Sequence, residues 1–189
     1  IAVEQKINVS NPRSTVGTKT EIYDYLKLLF TRIGKTYSPI SNKIVKKDSA
    51  SNVIDFILSL GVDKKLLLLC PVDSKDNATG LKKITILKQQ GFARIFKSGK
   101  IYNLNDKIDL DLTNFSLVID RLITKNNLDF KKRISDSIEL ALYEGKGYCS
   151  IYEIDSKKIH DFSNKFELDN IDFIEPSLNL FSFNNPFGA

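Results

Sequence analysis

Little in this 189-residue chain points to covalent or metal chemistry: it has two cysteines, one histidine, and no methionine or tryptophan. Cys70 and Cys149 each sit in an apolar run, Leu66–Cys70 and Tyr148–Ile151. They therefore read as buried thiols, not as a disulfide or a metal pair. Two cysteines and one histidine cannot close a structural zinc site unaided. His160 has no cysteine or carboxylate arranged around it for catalysis, and reads as a surface histidine. There is no Ser/His/Asp order, no Cys/His pair and no pair of carboxylates at a plausible site. A G-x-x-x-x-G-K-[ST] phosphate loop is also missing, which excludes an autonomous P-loop nucleotidase. No stretch approaches the ~20 apolar residues of a membrane span. No basic-then-apolar leader is visible, so a cytoplasmic location is the expectation. Ile1 reads as lying inside a strand and Ala189 just after a turn, so both ends read as cuts.

What is present is ordinary globular material. The composition is 42% hydrophobic and 27% charged, enough for one large domain, or one domain plus part of another. The net charge of +5 comes largely as scattered lysine doublets, among them Lys46-Lys47, Lys82-Lys83 and Lys131-Lys132. Such doublets read as solvated surface. A nucleic-acid footprint would cluster on one face with aromatics interleaved.

The elements follow from periodicity. Ile1–Val9 reads as a strand, and Ser10–Gly17 as a loop broken by Pro12 and Gly17. Thr18 with Glu21 forms a capping-box pattern ahead of a helix to Ile33, closed by Gly34 in a left-handed cap. A polar stretch, Thr36–Asp48, carries a domain boundary. Then come a helix over Ser49–Leu60, a strand over Leu66–Val72, a loop over Ser74–Gly80 and a short helix over Leu81–Gln90. Phe92–Phe96 and Lys100–Leu104 form a hairpin through Lys97-Ser98-Gly99. Phe115–Leu122 is a strand, Leu128–Tyr143 a helix closed by Gly145, and Gly147–Ile154 the last strand. The fold class is a compact open mixed sheet with packed helices, α/β or α+β. It closes as its own domain over residues 37–154, inserted between segments 1–36 and 155–189. Insertion through neighbouring termini is physically easy.

Four places could carry function. Gln5 ends an apolar strand ahead of a polar loop. Arg13-Ser14-Thr15 lies in a Pro/Gly loop before a helix start and offers N–H groups, hydroxyls and a guanidinium to a phosphate, or is a capped loop with a solvated arginine. Arg94 and Arg121 are single arginines in otherwise apolar strands. Alternation puts Arg94 with Phe92 and Phe96, and Arg121 with Phe115, Leu117 and Ile119. Each either pairs internally, for instance with Asp120, or faces a partner, where the planar guanidinium makes several directed bonds.

The end segments carry a resemblance. Ile1–Lys6, Asn11–Leu26 (Asn-Pro-Arg-Ser-Thr-Val-Gly-Thr-Lys-Thr-Glu-Ile-Tyr-Asp-Tyr-Leu), Leu28–Gly34 and Leu180–Ala189 (Leu-Phe-Ser-Phe-Asn-Asn-Pro-Phe-Gly-Ala) resemble the UvrA family, the A subunit of the excinuclease ABC system. Leu67–Pro71, Gln90–Arg94, Val118–Arg121 and Ser137–Leu142 follow in order. The resemblance implies a fragment of a tandem ABC-type ATPase that recognises damaged duplex DNA in bacterial nucleotide excision repair and loads UvrB. It implies a homodimeric parent with no membrane partner. Gln5 would be the Q-loop glutamine, the end segments part of signature domain I, and the insert the UvrB-binding domain. Arg94 and Arg121 become candidate UvrB contacts, with Lys97 and Lys100 at the rim. The alternative is a DNA-binding segment in which Lys6, Arg13 and Lys19 meet phosphates. The family's Cys-Pro-x-Cys-Gly pair is replaced here by Phe166–Phe173, which contains no cysteine. The Walker and signature segments lie outside the chain. ATP, magnesium and zinc are therefore expected in the parent only, and this chain is expected to have no cofactor and no enzymatic activity.

Overall fold

The structure is a computed structural model that describes residues 16–106 and 111–182. The chain divides into two compact units. The larger is Lys46–Phe166; the smaller joins Ile1–Val45 to Glu167–Ala189. These borders differ from the expected 37 and 154, for reasons given with β6 below.

The larger unit starts with α3 (Ala50–Ser59), which follows α1 (Val16–Lys19) and α2 (Ile22–Ile33) of the smaller unit. Ser49 caps α3 by accepting from the Asn52 N–H, and the Asn52 side chain accepts from the Ser49 N–H. Val53 and Ile57, four apart, are its buried residues. Next is β1 (Lys65–Val72), whose residues Leu66 to Cys70 are all buried. Helix α4 (Asn77–Gln89) begins earlier than its apolar spacing predicts. Asp76 accepts from the Thr79 N–H and starts it. Gly80, expected in a loop, sits inside the first turns, and is glycine because a Cβ there would collide with Leu112. The hairpin β2 (Arg94–Lys97) and β3 (Lys100–Asn103) turns at Ser98 and Gly99, both at positive φ (51° and 78°). That geometry matches the twist of the strands it joins. After β4 (Phe115–Ile123), α5 (Leu128–Glu144) is capped by Asn127 and buries Phe130, Ile134, Ile138, Ala141 and Leu142 along one stripe.

Strands β5 (Tyr148–Glu153) and β6 (Ile159–Ser163) complete a six-stranded sheet of order β3-β2-β4-β1-β5-β6. The sheet expected as mixed is antiparallel in every pairing, and the fold is α+β. β6 was not expected. It is an edge strand with only partly buried or exposed residues, so its apolar signal is weak. Asp48 holds its end: its N–H donates to the Ser163 carbonyl (2.7 Å), and its carboxylate accepts from the Ser163 N–H (3.1 Å).

Residues of α3, α4 and α5 pack with Leu66, Leu68, Cys70, Leu117 and Ile151 into the main core on one face of the sheet. The other face carries a small separate cluster of Leu67, Leu69, Phe96, Val118 and Tyr152.

In the smaller unit, α1 (Val16–Lys19) and α2 (Ile22–Ile33) are separate helices. Thr18 lies inside α1 and does not cap α2, whose N-cap Glu21 makes no side-chain bond. Gly34 closes α2 without a left-handed cap (φ −59°), and is glycine because a Cβ would collide with the Phe30 carbonyl. Tyr37 bridges Ile44, and β7 (Glu167–Leu168) pairs with β8 (Ile171–Asp172). The Asp169 carboxylate accepts from the Ser38 and Ser41 hydroxyls, which places Tyr37–Ile44 in this unit. Among the described residues no helix is long and apolar enough to cross a membrane.

Candidate functional site

The face of the sheet that the helices leave free is built from strand parity. Residues opposite one another in antiparallel strands point to the same face. Arg121 lies opposite Leu67, and Leu67 opposite Tyr152. Phe96 lies opposite Ser116, and Arg94 is two residues before Phe96 on the same strand. Arg94 and Arg121 thus share the face of Leu67, Leu69, Phe96, Val118 and Tyr152, away from α3, α4 and α5.

Simple alternation reaches the wrong face for Arg121. Between Leu68 and Leu69 of β1, the β4 partner jumps from Asp120 to Val118, so Ile119 is the extra residue of a β-bulge. Phe115 and Leu117 stay on the helix side, while Arg121 turns to the other. Arg94 does share a face with Phe96, but Phe92 precedes β2 and packs with the helix-side core.

Neither guanidinium has an internal carboxylate partner among the described residues. Asp120 instead points to the helix side. It accepts from Arg133 Nη2 (2.9 Å) and Ser137 Oγ (3.1 Å), and from the Arg121 backbone N–H (2.7 Å). On the same face the Phe96 and Tyr152 rings meet with centroids 4.6 Å apart and form a stiff buried platform. Alternation along β2 already puts Phe96 beside Arg94, whereas Tyr152 reaches this face through its register with Leu67, which residue order alone does not show. Arg121 also borders a hollow of about 390 Å³ at the start of α5, lined by Lys125, Asp129, Phe130 and Arg133. Arg121 and Lys125 are exposed and Arg94 is half-buried. Such a surface offers directed, charge-assisted hydrogen bonds to carboxylates.

The two lysines named with them behave differently. Lys97 and Lys100 are opposite each other in the hairpin, on the parity of Ile95 and away from Arg94. The Lys97 ammonium is engaged inside: it donates to the carbonyls of Asp111 and Thr113 and lies 3.6 Å from the Asp111 carboxylate. Lys100 is exposed on β3. Gln5, Lys6 and Arg13 lie outside the described residues, and Lys19 is the last residue of α1.

The two thiols do not compete for the role of functional group. Burial pushes the Cys70 and Cys149 thiols up to about 12, so both stay neutral and unreactive. His160 is not a free surface histidine. Its Nε2 is 2.7 Å from Glu153 Oε1 and its ring packs 4.6 Å from that of Phe56. That hydrogen bond holds the Glu153 carboxyl below its ordinary range. Among the described residues no group of three His, Cys, Asp or Glu side chains is placed to hold a metal.

Comparison with known proteins fits this geometry to a family. Residues 48–155 match the family described as the UvrA interaction domain. Over its whole length the chain is 40% identical to UvrABC system protein A of Malacoplasma penetrans, 38% to that of Neisseria gonorrhoeae and 36% to that of Methanothermobacter thermautotrophicus. It spans 20% of the length of each of these relatives. The chain belongs to the UvrA family.

Proposed function

We propose that this chain is the part of a UvrA protein that docks UvrB, and that it does so through the helix-free face of its sheet. The observation that carries the reading is the pair Arg94 and Arg121. They share one face with a rigid aromatic platform and have no carboxylate partner of their own among the described residues. Arginines left unpaired beside a buried apolar patch are the typical anchors of a polar protein interface. The matching surface on UvrB would carry carboxylates. Lys125, exposed and lining the same hollow as Arg121, would tune encounter more than affinity, and Lys100, turned to the other face, takes no part.

In this reading the unit 46–166 is a docking module set into an arm made from both ends of the chain. ATP turnover with magnesium, any zinc, damaged-DNA binding and homodimer formation belong to the whole protein. This chain contributes a grip and no chemical step.

The test is the affinity of the full 189-residue chain for UvrB. Truncating an interface charge whose partner becomes desolvated costs ~2–5 kcal/mol. Arg94→Ala and Arg121→Ala should each weaken binding by at least ~30-fold, with unchanged circular dichroism. Normal affinity in both variants would remove the two arginines from the interface. If the wild-type chain fails to bind UvrB while showing a steep salt-dependent affinity for duplex DNA, phosphate contact would replace docking.

A further inference from the structure

The helix side of the sheet holds a cleft of about 620 Å³ that docking does not use. It opens where β1 ends, between α4 and the close of α5. Its parity is that of Cys70, Val72 and Leu117, opposite to that of Arg94 and Arg121. The floor is apolar: Val72, Ile86 and Leu87 line it, and Ile86 is 53% exposed.

The rim is cationic at one end. Lys165 lies over the Tyr148 ring, 4.5 Å from its centroid, with Nζ 3.5 Å from the phenolic oxygen. Lys146 follows Gly145, the C-cap of α5, and is exposed. Lys83 is held by the Asp73 carbonyl, so Lys146 and Lys165 are the two ammonium groups available to a ligand.

The backbone is shaped for this arrangement. A Cβ on Gly147 (φ +100°) would meet Asn164 and the Lys165 side chain. Glycine there lets Lys165 run close over the chain to reach Tyr148. A Cβ on Gly145 would collide with the Tyr148 carbonyl and crowd Cys70, so glycine there lets the end of α5 close onto β1. Glu144 lines the cleft, half-buried and with no hydrogen bond or ion pair among the described residues. Its charge repels an anion from that wall and so sets which end of a ligand faces the lysines.

We propose that this cleft binds a small amphipathic anion: a flat apolar body seated on Val72, Ile86 and Leu87, with one phosphate or carboxylate held between Lys146 and Lys165. A concave, mostly apolar site with a few convergent polar groups is the usual form of a small-ligand pocket. An ammonium already placed over an aromatic ring loses little freedom on meeting the anion.

The test is a titration of the full 189-residue chain, ¹⁵N-labelled, with 1-naphthyl phosphate, with 1-naphthoate, and with 1-naphthylmethylamine as the cationic control. Saturable shifts are expected at the amides of Gly145, Lys146 and Gly147 with one or both anions and not with the amine. Tighter binding of the phosphate assigns the site to phosphorylated ligands, and of naphthoate to carboxylates. The double variant K146Q/K165Q, changed only at exposed positions, should bind about tenfold more weakly. Ile86→Trp, which fills the floor from a half-exposed position, should abolish binding. R94A/R121A should leave it unchanged, so that the cleft and the docking face fail or succeed separately. The proposal is overturned by any of three results: no saturable shift at millimolar probe, equal affinity for the amine, or shifts confined to the exposed apolar residues of α2.

Discussion

Lys97 is the position where a structural role and a docking role separate most cleanly. Lys97→Met keeps the aliphatic stem and removes the ammonium. That ammonium donates to two backbone carbonyls, of Asp111 and Thr113, and the side chain is only 18% exposed. The loop it holds carries Leu112, a 2%-exposed core residue. Leu112 is also tied by its N–H to Asn77 Oδ1 (2.5 Å) and by its carbonyl to the Ser74 hydroxyl. A hydrogen bond from a charged group contributes about 1.5–3 kcal/mol when well sheltered. Two such bonds, discounted for residual solvent contact and for the loop's other ties, leave about 1–2 kcal/mol. That corresponds to a loss of about 3–6 °C in melting temperature for a chain of this size. The assay is urea unfolding followed by far-ultraviolet circular dichroism, paired with UvrB affinity. The midpoint should fall, the slope should hold, and UvrB affinity should stay within about twofold. An unchanged midpoint together with a tenfold loss of UvrB affinity would refute the reasoning and return Lys97 to the interface.

Three further outcomes follow from the same geometry. Gly80→Ala drives a Cβ into Leu112 and should destabilise the fold by about 1–3 kcal/mol, read by the same urea titration; a neutral or stabilising result would mean that the loop yields freely. Glu153 is held below its ordinary value of 4.5 by its hydrogen bond to His160. Its contribution is therefore complete above that value and is lost as pH falls through the lower, folded value. The melting-temperature gap between wild type and Glu153→Gln should close on acidification, and a gap that does not shrink as the pH falls contradicts the pairing. Cys70 and Cys149, buried and pushed up to about 12, should stay silent to an aromatic disulfide reagent at pH ~8 until denaturant is added; fast native reaction of either thiol would overturn their burial.

Much of this fold can be read from residue order because its local signals agree with its packing. Ser49 with Asn52, and the stripe Phe130, Ile134, Ile138 and Ala141, mark α3 and α5 by cap and period. The continuous run Leu66–Cys70 marks a strand buried on both faces. What escaped depends on distant partners. Gly80 breaks a helical pattern on paper, yet it lies in α4 behind the Asp76 cap, and is glycine because Leu112 leaves no room for a Cβ. β6 has no strong apolar alternation, and is fixed by its pairing with β5 and by Asp48 at its end. The candidate site was half legible. Arg94 and Arg121 stand out as lone charges in apolar strands, but the bulge at Ile119 decides the face of Arg121, and a bulge leaves no mark in a count of alternating residues. Lys97 and Lys100 look like neighbours of Arg94 in sequence, yet the pleat turns them the other way.

The most direct measurement compares two double variants of the full chain for UvrB affinity by titration calorimetry. One is R94A/R121A, on the helix-free face. The other is K131A/K132A, two exposed lysines of α5 on the opposite side. The docking account expects a loss of at least ~100-fold for the arginine pair, and a change of no more than about twofold for the lysine pair. An equal loss in both, or a loss confined to the lysines, would mean that UvrB does not grip the sheet face that carries Arg94 and Arg121.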